Sequence, residues 1–138
     1  MRIFVTGASG YIGGSIAAAL INAGHSVVGL VRHADKASQL ALRGIQPLFG
    51  TLADLTKITE AARTADAVIN TANADDFLAA DTLVKALAGS GKVLIHTSGT
   101  SVVSDRAAGE YSAAIFQEDS PSILCRNAYC GLRSTGPC

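Results

Sequence analysis

No charge of one sign dominates this chain: lysine plus arginine and aspartate plus glutamate both number 11, and only 16% of the 138 residues are charged. That removes the electrostatic case for nucleic acid or an anionic membrane surface and leaves a small molecule as the expected partner. Long hydrophobic runs are also missing. The opening Met1-Arg-Ile-Phe-Val-Thr-Gly7 is too short for a secretion signal, and no stretch reaches the roughly 18 apolar residues a membrane span needs. The expectation is a soluble, cytoplasmic protein with no membrane partner. Cysteine is absent from the first 124 residues; Cys125, Cys130 and Cys138 all fall in the last fourteen. An odd number, with no second Cys or His pair at zinc spacing, excludes a disulfide framework and a tetrahedral metal site, so the thiols read as incidental to a tail. Neither an internal repeat nor a low-complexity tract is present.

What remains is an alternation. Short β-branched runs are separated by longer alanine-rich amphipathic runs, the pattern of a parallel sheet covered by helices on both faces. Arg2 to Thr6 reads as a buried strand, followed by a helix with Ile12, Ile16, Leu20 and Ala23 on one face and Gly24 at its end. Ser26 to Val31, Ile45 to Phe49, Asp66 to Asn70 and Lys92 to Thr97 read as four more strands. Helices are predicted over Ala34 to Arg43, from an Asp54 cap to about Ala65, and from an Asp75 or Asp76 cap to the glycines at 89 and 91. The last carries an apolar stripe of Phe77, Ala80, Val84 and Leu87, with Asp81 and Lys85 paired outside. Right-handed crossovers order five such strands 3-2-1-4-5, a Rossmann-like doubly wound α/β sheet whose ligand crevice opens at the ends of strands 1 and 4. Residues 1–120 are expected to form this domain. Beyond Gly99 the periodicity fades: Ser101 to Ser120 reads as a loop with at most a short helix, and 121–138 as an irregular tail.

Gly7-Ala-Ser-Gly-Tyr-Ile-Gly13 places glycines at Gly-x-x-Gly-x-x-Gly spacing between a strand and a helix. In that context Gly7 permits the turn off the strand, Gly10 lets backbone approach a diphosphate, and Gly13 lets helix and strand close up. The helix beginning near Tyr11 then offers free N–H groups and a positive dipole end, with Ser9, Tyr11 and Ile12 around them. The alternative is a tight βα turn and nothing more. At the end of strand 2, where a carboxylate would accept the ribose hydroxyls of NAD, the sequence is Gly29-Leu-Val-Arg-His33. Arg32 offers a guanidinium fork for a 2′-phosphate, with His33 as helper, which favours NADP; as a plain surface arginine it would do neither.

Arg2-Ile-Phe-Val-Thr-Gly-Ala-Ser-Gly-Tyr-Ile-Gly13, then Gly50-Thr-Leu52 with Asp54, Asp66-Ala-Val-Ile-Asn-Thr-Ala72 and Val93-Leu-Ile-His-Thr-Ser-Gly99, resemble in order and spacing the extended and atypical short-chain dehydrogenase/reductases, the NAD(P)-dependent epimerase/dehydratase group, over about residues 1–121. That resemblance implies hydride transfer between NADP and a carbonyl or alcohol, including a sugar-nucleotide substrate. It implies Leu52 near adenine, Ala72 and Asn73 on the nicotinamide ribose side, and Thr97 and Ser98 at the end of strand 5. Ser98, with Thr100 next, would hold the substrate oxygen, although an ordinary strand-end cap explains these hydroxyls too. Two departures stand out. Thr51 replaces the aspartate of the common Gly-Asp-Leu, so a carboxylate contact to adenine is lost there. The Tyr-x-x-x-Lys pair, in which lysine lowers the tyrosine pKa, is absent: Tyr111 is followed at that spacing by Ile115 and Tyr129 by Arg133, which cannot deprotonate. A non-catalytic NADP(H)-binding module or redox sensor is therefore the second reading. After Pro121 the family pattern stops, which suggests an out-of-frame or alternative terminus; a truncated sheet would leave an exposed edge and favour a homodimer.

Overall fold

The computed structural model of the chain describes residues 1–99 and Tyr111. Thr100, the rest of the 101–120 loop, and the tail with its three cysteines lie outside the described residues. Residues 1–97 form one compact unit and residues 98–138 a second.

The first unit alternates strictly: β1 (Arg2–Thr6), α1 (Tyr11–Asn22), β2 (Ser26–Val31), α2 (Ala34–Leu42), β3 (Gln46–Phe49), α3 (Leu55–Thr64), β4 (Ala67–Asn70), α4 (Phe77–Leu87) and β5 (Val93–His96). Every strand pair is parallel and the order is β3-β2-β1-β4-β5, as the crossover rule requires. Alternate side chains of the central strands feed two cores. Ile3, Val5, Val27 and Val31 pack with Ala17 of α1 and Leu40 of α2 on one face. Phe4, Val28, Leu30 and Val68 pack with Ile58 of α3 and Leu83 and Leu87 of α4 on the other. This double burial is why β1 and β2 read as nearly continuous apolar runs. Pro47, which has no N–H to give a ladder, is accommodated because β3 is an edge strand.

Strand ends differ from the sequence reading where a side chain finds another partner. Asp66 stands just outside β4, its N–H donating to the Arg2 carbonyl at 2.8 Å and its carboxylate accepting the Arg2 N–H at 2.7 Å. Lys92 stands outside β5, its Nζ donating to the Arg63 carbonyl at the end of α3. Ile45 precedes β3 but is fully buried against the α1–α2 layer. Arg43 caps α2 rather than extending it, and its guanidinium donates to the Gly14 carbonyl at 2.7 Å.

Two predicted stripes are corrected. α4 buries Ala79, Ala80, Leu83 and Leu87, whereas Phe77 and Val84 are 52% and 47% exposed. This helix is apolar on more than one face, and the side chains it turns into the core shared with α3 are Ala79, Leu83 and Leu87. On α1, Ile16 and Leu20 pack against the core, but Ile12 and Ala23 are exposed because Gly13, Gly14 and Ala17 form the contact face. Of the candidate caps, Asp76 takes the N-cap position of α4 and accepts the Ala79 N–H at 3.0 Å, while Asp54 turns its carboxylate back on Thr51 instead of capping α3.

At the carboxyl ends of three neighbouring strands lies a polar row. Thr6 Oγ1 donates to Asn70 Oδ1, and Asn70 Nδ2 donates to His96 Nδ1 at 2.9 Å. Thr6 and Asn70 are wholly buried, so their polar atoms depend on each other for satisfaction. Replacing Asn70 with leucine leaves the Thr6 hydroxyl buried without an acceptor. The expected cost is about 2–3 kcal/mol, or a melting point lower by about 10–15 °C for a domain of this size. A shift below about 2 °C in a thermal melt would show that the row contributes nothing.

Candidate functional site

The site is built at the carboxyl edge of the sheet, where β1 turns into α1. Gly7 has φ of +73°, a region costly to other residues, and its carbonyl accepts the Gly10 N–H at 2.9 Å to close the turn. A side chain on Gly7 would also strike Ala72 of the β4–α4 loop, with an added Cβ 2.9 Å from the Ala72 backbone. Gly13 is tighter still: its Cβ would fall inside contact distance of the Gly7 carbonyl and 2.5 Å from Thr71 Oγ1. Between these contacts Thr71 acts as a latch. Its hydroxyl donates to the Thr6 carbonyl at 2.7 Å and fills the space that the two glycines leave open. Ala8, also buried, seats the loop on β2, where Gly29 makes room: a Cβ there would lie 2.8 Å from that of Ala8.

Along this edge runs an open cleft of about 650 Å³. Its walls come from four strand ends in turn: Gly7, Ser9 and Gly10 after β1, Arg32 after β2, Thr51 and Leu52 after β3, and Ala72 and Asn73 after β4. Seven of the residues singled out in the sequence thus meet in one cleft: Gly7, Ser9, Gly10, Arg32, Leu52, Ala72 and Asn73. Gly13 lies behind the loop, buried. Tyr11 is 91% exposed and begins α1 beside Ile12, and His33, also exposed, takes the N-cap position of α2; none of these three lines the cleft. Thr97 donates its N–H to the Asn70 carbonyl at 2.9 Å and is half-buried, and Ser98 is exposed; neither lines the cleft.

Seven cleft residues lie outside the site predicted from sequence: Leu30, Val31, Gly50, Thr51, Ala53, Thr71 and Asp76. Asp76 was legible as a cap, and only the fold shows that the cap faces the cleft. Thr51 is held in place by Asp54, whose Oδ2 accepts the Thr51 N–H at 2.6 Å and the hydroxyl at 3.1 Å. These hydrogen bonds keep the Asp54 carboxyl below its ordinary pKa.

The cleft fits a dinucleotide on chemical grounds. Gly10 leaves open, on the cleft side, the place where backbone would meet a diphosphate, and the N-terminus of a twelve-residue helix follows it. The sequence matches the NmrA-like family over residues 1–118. The chain belongs to that family. An uncharacterized protein of Schizosaccharomyces pombe is 38% identical over 134 residues, covering 89% of this chain and 45% of the relative. The oxidase ucsJ of an Acremonium species is 41% identical over 139 residues, covering 89% and 40%. The chain therefore spans less than half the length of the curated relatives it matches. Among solved structures, the anaerobilin reductase ChuY of Escherichia coli O157:H7 is similar with a TM-score of 0.59 and 28% identity, over 70% of this chain and 50% of that one. AtPrR2, solved with NADP+ and (+)pinoresinol, gives 0.53 and 25%, over 67% and 34%. A putative NAD-dependent epimerase/dehydratase of Bacillus halodurans shares the fold, with a TM-score of 0.63 over 75% of this NmrA-like chain and 53% of that protein. The fold is thus the Rossmann-like sheet that the motifs led one to expect. Among the described residues, no helix of the NmrA-like chain is long and apolar enough to cross a membrane, and no His, Cys, Asp or Glu group could hold a metal ion.

Proposed function

We propose that this NmrA-like chain is the NADP(H)-binding portion of a cytoplasmic reductase that moves a hydride between the cofactor and a carbonyl or alcohol carbon, including one on a sugar nucleotide. The observation that carries this reading is Arg32 on the wall of the same cleft as the Gly7–Gly10 loop, with no acidic residue at the end of β2. The loop and the start of α1 hold the pyrophosphate, and Arg32, assisted by His33, takes the 2′-phosphate. Leu52 lies against adenine, and Ala72 and Asn73 border the nicotinamide ribose. Thr97 borders the cofactor at the end of β5, and Ser98, with Thr100, holds the substrate oxygen. When bound, NADPH supplies the hydride. The relatives' reductase and oxidase names support a redox role.

The absence of Tyr-x-x-x-Lys from the 138 residues supports a second reading, a non-catalytic NADP(H)-binding module. Fluorescence titration with NADPH and NADH, followed by cofactor oxidation against a panel of carbonyl compounds, separates the two. Binding with turnover supports the reductase, and binding without turnover supports the module. If neither dinucleotide binds, both readings fail.

β5 ends the sheet among the described residues, with Val93 and Ile95 56% and 54% exposed. We propose that this edge pairs two copies. Light scattering at high concentration should give the mass of a dimer, and Ile95→Lys should return it to monomer. A monodisperse monomer for the unaltered chain would count against the pairing.

A further inference from the structure

We infer that Asp76 selects the base of the dinucleotide by accepting a hydrogen bond from the exocyclic amino group of adenine. The inference rests on the cofactor reading above and adds to it the residue that reads the base. Arg32 and Asp76 are the only charged side chains on the cleft wall among the described residues. Phosphates repel a carboxylate, so Asp76 must face a neutral, donor-bearing part of the ligand. Its position narrows the choice. Asp76 is the N-cap residue of α4, which packs with α3 on one face of the sheet, and it lines the same cleft as the Leu52–Ala53 turn that precedes α3. Leu30, Leu52 and Ala53 give that cleft an apolar wall suited to a flat purine. Oδ1 is committed to the Ala79 N–H, and Oδ2 makes no hydrogen bond to a described residue. Asp54, the other nearby carboxylate, is occupied by Thr51 and does not line the cleft. Asp76 therefore supplies from α4 the acceptor that Thr51 cannot supply after β3.

The test is the ratio of dissociation constants for NADPH and its hypoxanthine analogue, in which the 6-amino group becomes a carbonyl, measured by fluorescence titration on the full chain. The unaltered protein should prefer adenine by about tenfold or more, the discrimination expected of one hydrogen bond to a charged acceptor. Asp76→Asn keeps the cap, because the amide oxygen can still accept the Ala79 N–H, and turns an N–H towards the base. Its preference should fall to within about twofold or invert, with an unchanged melting temperature. The same adenine preference in both proteins overturns the assignment, as would equal binding of the two bases by the unaltered chain, the result expected if Asp76 contacted a ribose hydroxyl. Failure of both dinucleotides to bind overturns the cofactor reading itself.

Discussion

Gly13→Ala is expected to abolish NADPH binding and to cost about 3 kcal/mol or more of stability. The added methyl group would overlap the Gly7 carbonyl and stand 2.5 Å from Thr71 Oγ1. Neither neighbour has room to yield. The Gly7 carbonyl holds the Gly10 N–H, and the Thr71 hydroxyl holds the Thr6 carbonyl, so relief on either side opens the turn or withdraws the β4–α4 loop. Either movement displaces the backbone that meets the diphosphate. Gly24→Ala is the matched control. Gly24 has φ of +80° at the far end of α1, and nothing lies within 4 Å of its missing side chain. Its cost should be backbone strain alone, about 1–2 kcal/mol, with NADPH affinity retained. Chemical denaturation and a fluorescence titration of each variant decide the matter. Wild-type melting and affinity in Gly13→Ala would mean that the loop tolerates a contact the geometry forbids.

How much of this was legible beforehand depends on whether a feature is local. The glycine loop and Arg32 announce themselves because each is a short signal beside a strand end, and strand order follows from handedness once five β–α alternations are counted. The α4 stripe misled because α4 is apolar on more than one face and periodicity alone does not say which face packs with α3; Phe77 and Val84 lost to Ala79 and Leu83. Thr71 and Asp76 could not have been assigned to the cleft from sequence. Thr71 is a latch only because Gly7, Gly13 and Thr6 converge on it from 58 or more residues away, and Asp76 reads as a simple cap until α4 is laid beside α3. The Thr6–Asn70–His96 row is likewise invisible until β1, β4 and β5 are set in register.

Arg32→Asp should lower the ratio of NADPH to NADH affinity by about 100-fold. The two cofactors differ only in the 2′-phosphate, so the ratio isolates this contact from everything the glycine loop contributes. Two effects add: the guanidinium fork is lost, and a carboxylate now repels the phosphate while accepting the free ribose hydroxyls of NADH. NADPH binding should therefore weaken while NADH binding holds or improves, an opposite movement that general damage to the cleft would not produce. Arg32 is exposed, so its attraction is partly screened, and raising the salt concentration should shrink the preference of the unaltered protein. Arg32→Lys sorts charge from geometry: it keeps the positive charge but not the fork, and should retain only part of the preference. His33, exposed at the N-cap position of α2, can add at most a second donor; His33→Ala should therefore leave NADPH preferred. An unchanged ratio in Arg32→Asp would reject the 2′-phosphate assignment and return Arg32 to the status of a surface charge beside a cleft that does not distinguish the two dinucleotides.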